Sequence, residues 1–248
     1  MHSAPTPDDA QALRDITLAH EHLMICFCGV DKESDVPTRV LEEAIQKIVR
    51  IKLQMGDKHL IGLAKEQGST FVVEQEFTRN VAALVAAVPT VLSSAGHGDV
   101  VDLDALLDDA VRYFSAHRDM ERQATSSFRL LLVYRQLKQS PQIRVVQQET
   151  PNKFITDPVF HLDVIYWHQD VSLEIAQHVF DQLCSFDNTN PLAKFYFQEV
   201  SGSVERLHQA LVLALSHPAH RSSQRAADQF LSSWFSPSKT VDTFRQQN

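Results

Sequence analysis

Glycine and cysteine are scarce in this chain, with 7 and 3 among its 248 residues. The few glycines form no Gly-x-Gly-x-x-Gly or Walker pattern. Where a dinucleotide fold needs bare backbone amides after its first strand, the chain reads Gly29-Val30-Asp31-Lys32-Glu33. Cys26, Cys28 and Cys184 are too few and odd in number for a disulfide framework, which points to a reducing compartment. No apolar run approaches the roughly 18 residues that span a bilayer, so no membrane association is expected. Lys and Arg nowhere cluster and the formal net charge is -8, which disfavours nucleic acid as a direct partner and an acidic main target. Pro5, Pro7, Asp8 and Asp9 leave no basic or long apolar region for a signal peptide, so a cytoplasmic and nuclear location is expected. A Gly-x-Ser-x-Gly nucleophile elbow is also missing.

Hydrophobic residues make up 44%, enough for one large globular domain with tails. Residues 1–19 read as an N-terminal tail, and an α/β domain occupies residues 20–216. His22 to Cys28 is a short apolar run, the pattern of a strand buried on both faces. Ser34 or Asp35 can cap the helix that follows, with Pro37 in its first turn. Strands at residues 59–63 and 70–73, joined by Glu66-Gln67-Gly68-Ser69, predict an antiparallel hairpin. Thr78 can cap the next helix, which Pro89 is expected to end. Asp102 can cap a helix with Leu103, Leu106, Leu107, Ala110, Val111 and Phe114 on one face. A strand over 128–134, an irregular polar stretch over 136–152 and a strand over 159–167 follow. A helix bearing Ile175, Val179 and Leu183, a strand over 195–200 and a helix capped by Ser203 complete the order. This predicts a doubly wound, mostly parallel sheet with an antiparallel edge.

Several groups could carry chemistry. His20-Glu21-His22 puts two imidazoles on one strand face and Glu21 on the other, but supplies no third ligand, so a histidine pair without metal is favoured. Cys26 and Cys28 share a face and read as small core residues. Gly96-His97-Gly98 reads as a loop. Asp163 lies inside a strand, where a carboxylate must be paired or functional, and His161 is its same-face neighbour. No catalytic residue and no cofactor is assigned.

The C-terminal segment, 217–248, differs. It begins His217-Pro218-Ala219-His220-Arg221 and continues to Phe230, Leu231, Trp234 and Phe235 at helical spacing. Such a segment either docks on its own domain or lies in a partner's groove, where aromatic and Arg anchors contribute most. His217, Pro218, His220, Arg221, Trp234 and Phe235 are the expected partner-binding residues, with Arg221 presenting an exposed fork of donors outside the core.

Lys58-His59, Phe77-Thr78, Asp102 to Leu107, Leu131 to Arg135, Phe160 to His168, Leu207 to Leu211 and His217 to Arg221 occur in an order that resembles one family. It is the von Willebrand A-like scaffold subunit of the BRISC and BRCA-A deubiquitinase complexes, complex member 1. The resemblance covers roughly residues 20 to 225 and implies a non-catalytic subunit. It implies that the Pro-x-x-Arg of Pro218 and Arg221 binds a subunit built of ubiquitin-conjugating-enzyme-like (UEV) folds. Through that subunit the chain would support an Abraxas-type subunit and a JAMM zinc protease acting on lysine-63-linked ubiquitin chains. The tail with Trp234 and Phe235 departs from the acidic tail expected of the family.

A metal-binding von Willebrand A domain carries Asp-x-Ser-x-Ser after its first strand, because a hard divalent cation takes oxygen ligands. Here Cys28, Val30 and Lys32 hold those positions, and Arg135 and Gln136 follow the strand at Tyr134 instead of Asp-Gly. No metal is therefore expected, although Asp31-x-Glu33-x-Asp35 is acidic in another register. Two other functions compete with the scaffold: a stand-alone hydrolase using Asp163 and a histidine, and a metal-dependent adhesion module.

Overall fold

The first apolar run becomes strand β1 (His20–Cys28), with every side chain after His20 buried. A strand covered on both faces requires helices on either side of its sheet. In chain order there follow α1 (Asp35–Met55), β2 (Leu60–Gln67), β3 (Thr70–Thr78), α2 (Val81–Ser94), β4 (Val100–Asp102) and α3 (Leu103–Glu121). Then come β5 (Ser126–Leu137), β6 (Gln142–Arg144), β7 (Phe160–Gln169), α4 (Leu173–Cys184), β8 (Tyr196–Ser201) and α5 (Val204–Leu215). This computed structural model describes residues 20–29, 35–95, 100–121, 126–137, 142–145, 157, 159–186, 195–218, 221, 224–227 and 229.

Six strands form the main sheet in the order β3-β2-β1-β5-β7-β8, and β4 pairs with β6 in a small second sheet. Among the described strands, only the β2–β3 pairing is antiparallel. After β1 the chain builds outward through β2 and β3, then returns to place β5 on the other side of β1. The switch point therefore lies between Cys28 and Tyr134, which are register partners. Strand alternation divides the interior. Met24, Cys26, Phe128, Leu130, Leu162 and Val164 pack with α3 and α4, while Leu23, Ile25, Leu131, Val133 and Ile165 pack with α1, α2 and α5.

The hairpin turns through Gly68 and Ser69, at φ 60° and 64°. Two left-handed residues are what a two-residue turn between twisted strands needs. Its second strand continues to Thr78. Ser203 and Asp102 cap as the spacing predicts, accepting from the Arg206 and Ala105 amides at 3.2 and 3.1 Å.

Three local expectations are corrected. Pro89 does not end its helix but lies inside α2. A proline cannot donate to the carbonyl four residues back, and that carbonyl, Val85 O, instead accepts from Gln46 Nε2 of α1 at 3.4 Å. Asn80, not Thr78, caps α2, accepting from the Ala83 amide at 3.1 Å, while Thr78 Oγ1 accepts from the Asn80 amide one step earlier. The polar stretch after Arg135 is not all irregular: β5 runs to Leu137, and Gln142–Arg144 pairs in parallel with Val100–Asp102. The Gly96-His97-Gly98 loop lies outside the described residues.

Packing also continues past the expected domain end at residue 216. Pro218, Arg221 and Ala227 are buried. Gln224 Oε1 accepts from the Phe197 amide at 2.9 Å and its Nε2 donates to the Phe197 carbonyl at 2.6 Å. A side-chain amide thus pairs with the backbone of β8, the edge strand, as a neighbouring strand would.

Candidate functional site

At the N-terminal end of the parallel strands, charged side chains interrupt the apolar alternation on the α1/α5 face. Glu21 opens β1, Arg129 lies in β5 and Asp163 in β7, with Lys52 reaching in from α1 and Arg221 from beyond α5. All are buried. Arg221 meets Asp163 in a bidentate pair, Nη1 to Oδ1 at 2.5 Å and Nη2 to Oδ2 at 2.6 Å. Its guanidinium also lies 4.3 Å from the Tyr196 ring centroid. Asp163 further accepts from Arg129 Nη1 at 3.2 Å and from the Tyr196 amide at 3.1 Å. Arg129 Nη2 meets Glu21 at 2.5 Å, and Lys52 Nζ pairs with the other Glu21 oxygen.

Three cations face two carboxylates in this chain of contacts. The end of α5 supplies compensation. Leu215 O accepts from Lys52 at 3.1 Å, and Ser216 O accepts from both Arg129 and Arg221 at 3.1 Å. These terminal carbonyls carry the negative end of the helix dipole. Burial would raise the Glu21 carboxyl, but Arg129 and then Lys52 outweigh it and hold it at about 2. Burial would likewise raise Asp163, and Arg221 outweighs it, so the carboxylate is held below its ordinary range. Burial and Arg129 lower Lys52 to about 8. His161 is buried, neither ring nitrogen has a hydrogen-bond partner among the described residues, and burial followed by Arg221 lowers it to about 3. A neutral imidazole is the form this cationic surrounding tolerates.

Arg221 therefore does not offer an exposed fork: it is 3% accessible and anchors the C-terminal segment to its own sheet. Pro218 is buried beside it, and His217 is half-buried with Nε2 3.4 Å from Ser127 Oγ. His220, Trp234 and Phe235 lie outside the described residues. Sequence reasoning found Asp163 but missed Glu21, Lys52 and Arg129 as its network. The available signal was a charge at a core position: Arg129 inside an apolar strand, and Lys52 continuing the Ile45, Ile48, Val49 stripe of α1.

The opposite end of the sheet holds the switch point. Cys28, at the first metal-ligand position, is buried in the core, and burial followed by Glu66 pushes its thiol well up. Gly29 follows at φ 69°, where an added Cβ would stand 2.5 Å from Arg135 O. Arg135 is buried, donates to Thr38 Oγ1 at 2.6 Å and lies 5.3 Å from the Trp167 ring centroid. A protonated thiol and a guanidinium do not fit a hard divalent cation. Val30 and Lys32 lie outside the described residues.

This architecture defines a von Willebrand A-like α/β domain. Among solved structures, the chain is similar to the VWA domain of SpRpn10, over 83% of this chain and 100% of that one, at 13% identity and a TM-score of 0.50. It is also similar to the pilus adhesin SpaC from Lactobacillus rhamnosus GG, over 79% of this chain and 30% of that one, at 10% identity and a TM-score of 0.50. No family model and no curated protein matches the sequence.

Proposed function

We propose that this chain is a non-catalytic scaffold subunit of a deubiquitinase assembly of the BRISC and BRCA-A kind. In such an assembly it would join a UEV-fold subunit and support, through it, an Abraxas-type subunit and a JAMM zinc protease acting on lysine-63-linked chains, in cytoplasm and nucleus. The observation that carries this reading is the Asp163–Arg221 pair. It occupies the carboxylate a stand-alone hydrolase would need, with both oxygens engaged in the interior. It also fixes the start of the C-terminal segment against the sheet, which lowers the entropy lost when that segment is gripped by a partner. Arg221 is then a positioning residue, and contact with the UEV-fold subunit falls to His217, His220 and the Trp234/Phe235 stretch. The metal-dependent adhesion alternative is disfavoured by the donor chemistry at Cys28 and Arg135.

Affinity purification of the native protein with identification of its partners tests this. Co-purifying UEV-fold and JAMM-type subunits, lost on Trp234→Ala/Phe235→Ala, is the expected result. Recovery of the intact protein without either subunit would overturn it.

A further inference from the structure

Helix α1 packs between two neighbours on one face of the sheet, α2 and α5. Gln46 marks its α2 flank, since Gln46 Nε2 donates to Val85 O at 3.4 Å. Each step along a helix turns the side-chain direction by about 100°, so Ile51 and Met55 stand about 140° and 180° round from Gln46, on the α5 flank. Lys52 Nζ donates to Leu215 O at 3.1 Å and ties the ends of α1 and α5 together at this level. On α5, His208, Val212 and Leu215 follow one another at helical spacing up to that tie.

This seam is apolar and uncovered. Ile51 is 43% accessible, Met55 55% and Val212 53%. An exposed apolar patch with a polar rim marks an interaction surface. The rim here is basic, on a chain of net charge -8. Lys47 and Arg50 are exposed beside Ile51, and neither has an ion pair among the described residues. The acids near them do not cancel this charge. Glu43 pairs with Arg39 at 3.4 Å, Glu205 stands at the far end of α5 from Leu215, and Asp57 is followed at once by Lys58.

We infer that the α1/α5 seam is the docking surface for an amphipathic helix of a partner protein, apolar on the face laid against Ile51, Met55 and Val212 and acidic along its flanks. Both walls are helices, whose backbone groups bond within themselves, so the seam offers no edge to an added strand. A helix reaches such a seam through side chains at i, i+3, i+4 and i+7. Charge selects among helices: acidic flanks meet Lys47 and Arg50, and basic flanks are repelled. A second copy of this chain would bring its own Lys47 and Arg50 to the same contact. The chain's own residues 230–248 carry Lys239, Asp242 and Arg245 as their charges and supply no acidic flank. The surface belongs to the folded domain and uses neither Trp234 nor Phe235, so it stands or falls separately from the scaffold reading.

The probe is a fluorescein-labelled, capped peptide of about 18 residues, long enough to hold helix in water. It carries Leu at i, i+3, i+4 and i+7 positions and Glu on both flanks; its counterpart has Lys for every Glu. Anisotropy is followed as the full chain is added. Saturable binding of the Glu peptide, weakened about tenfold or more by Ile51→Asp, is expected. Lys47→Glu/Arg50→Glu should weaken it likewise and take the Lys peptide instead. These side chains are exposed, so unfolding midpoints should match the parent's. Equal binding of both peptides, no saturable binding to the folded parent, or affinity unchanged in these variants would overturn the inference. Tighter binding after Trp234→Ala/Phe235→Ala would give the seam to the chain's own tail, and a concentration-dependent dimer lost in Ile51→Asp would give it to a second copy. Either result overturns it too.

Discussion

Arg221 and Asp163 stand 58 residues apart in sequence and meet through two hydrogen bonds in the buried interior. Neither tolerates the other's loss, because a buried charge without its partner keeps its desolvation cost and loses its compensation. Arg221→Ala is therefore expected to destabilise the domain by about 3–5 kcal/mol, read as a lower urea midpoint. Arg221→Lys should recover only part, since an ammonium cannot span both carboxylate oxygens. Replacing the pair together by Leu and Met should recover more than either single change. An unaltered midpoint in Arg221→Ala would mean that the pair does not hold the segment.

Acid should unfold this protein through the same network. Glu21 is held at about 2 against an ordinary 4.5, so the unfolded chain binds that proton first. Its contribution is complete above the unfolded value and drains as pH falls through 4.5 towards 2. His161 acts in the same direction: its folded value is about 3 against 6.5, so stability declines across that window as pH falls. Lys52, lowered from 10.5 to about 8, adds stability as pH rises across its own window. Urea midpoints should fall steadily from pH 7 to 3, and His161→Phe should flatten the upper part of that fall.

Gln46 and Pro89 are expected to be coupled. Gln46→Ala removes the donor to Val85 O and should cost about 1 kcal/mol. In a Pro89→Ala background residue 89 regains its own N–H, and the cost of Gln46→Ala should shrink. A double-mutant cycle on thermal or urea unfolding measures the difference; additive values would show that Gln46 does not serve this carbonyl.

Thiol chemistry should report the burial of the first strand. Cys26 and Cys28 are fully buried with thiols pushed up by burial and then Glu66, whereas Cys184 is half-buried. The folded protein should react with an aromatic disulfide reagent at Cys184 first and expose the other two only on unfolding. For the same reason, calorimetric titration with Mg²⁺ or Mn²⁺ should show no specific binding that depends on Cys28.

Gly29→Ala is expected to destabilise, because its φ of 69° and the 2.5 Å approach of Arg135 O leave no place for a Cβ. The cost should be about 1–3 kcal/mol, the range for a strained backbone position, read in the same unfolding experiment.

Much of this protein is decided by sequence alone. Apolar runs such as residues 22–28 carry the strands, the Leu103 to Phe114 stripe carries its helix, and Gly68-Ser69 carries the hairpin turn. These signals are local and periodic, and the doubly wound order follows from their succession. The lack of oxygen ligands at Cys28 and of a phosphate-binding glycine loop is equally a matter of residue identity. Tertiary structure decided what periodicity cannot express. Pro89 lies inside a helix, and the carbonyl it leaves open is met by a side chain 43 residues earlier in sequence, Gln46. Asp163 and Arg221, each conspicuous alone, become one clamp only when β7 and the end of α5 are brought together. Arg129 and Lys52 stand at core positions of their own segments, but that they share Glu21 is decided only when the sheet and α1 close over them, because pairing is a property of the folded neighbourhood and not of any single segment.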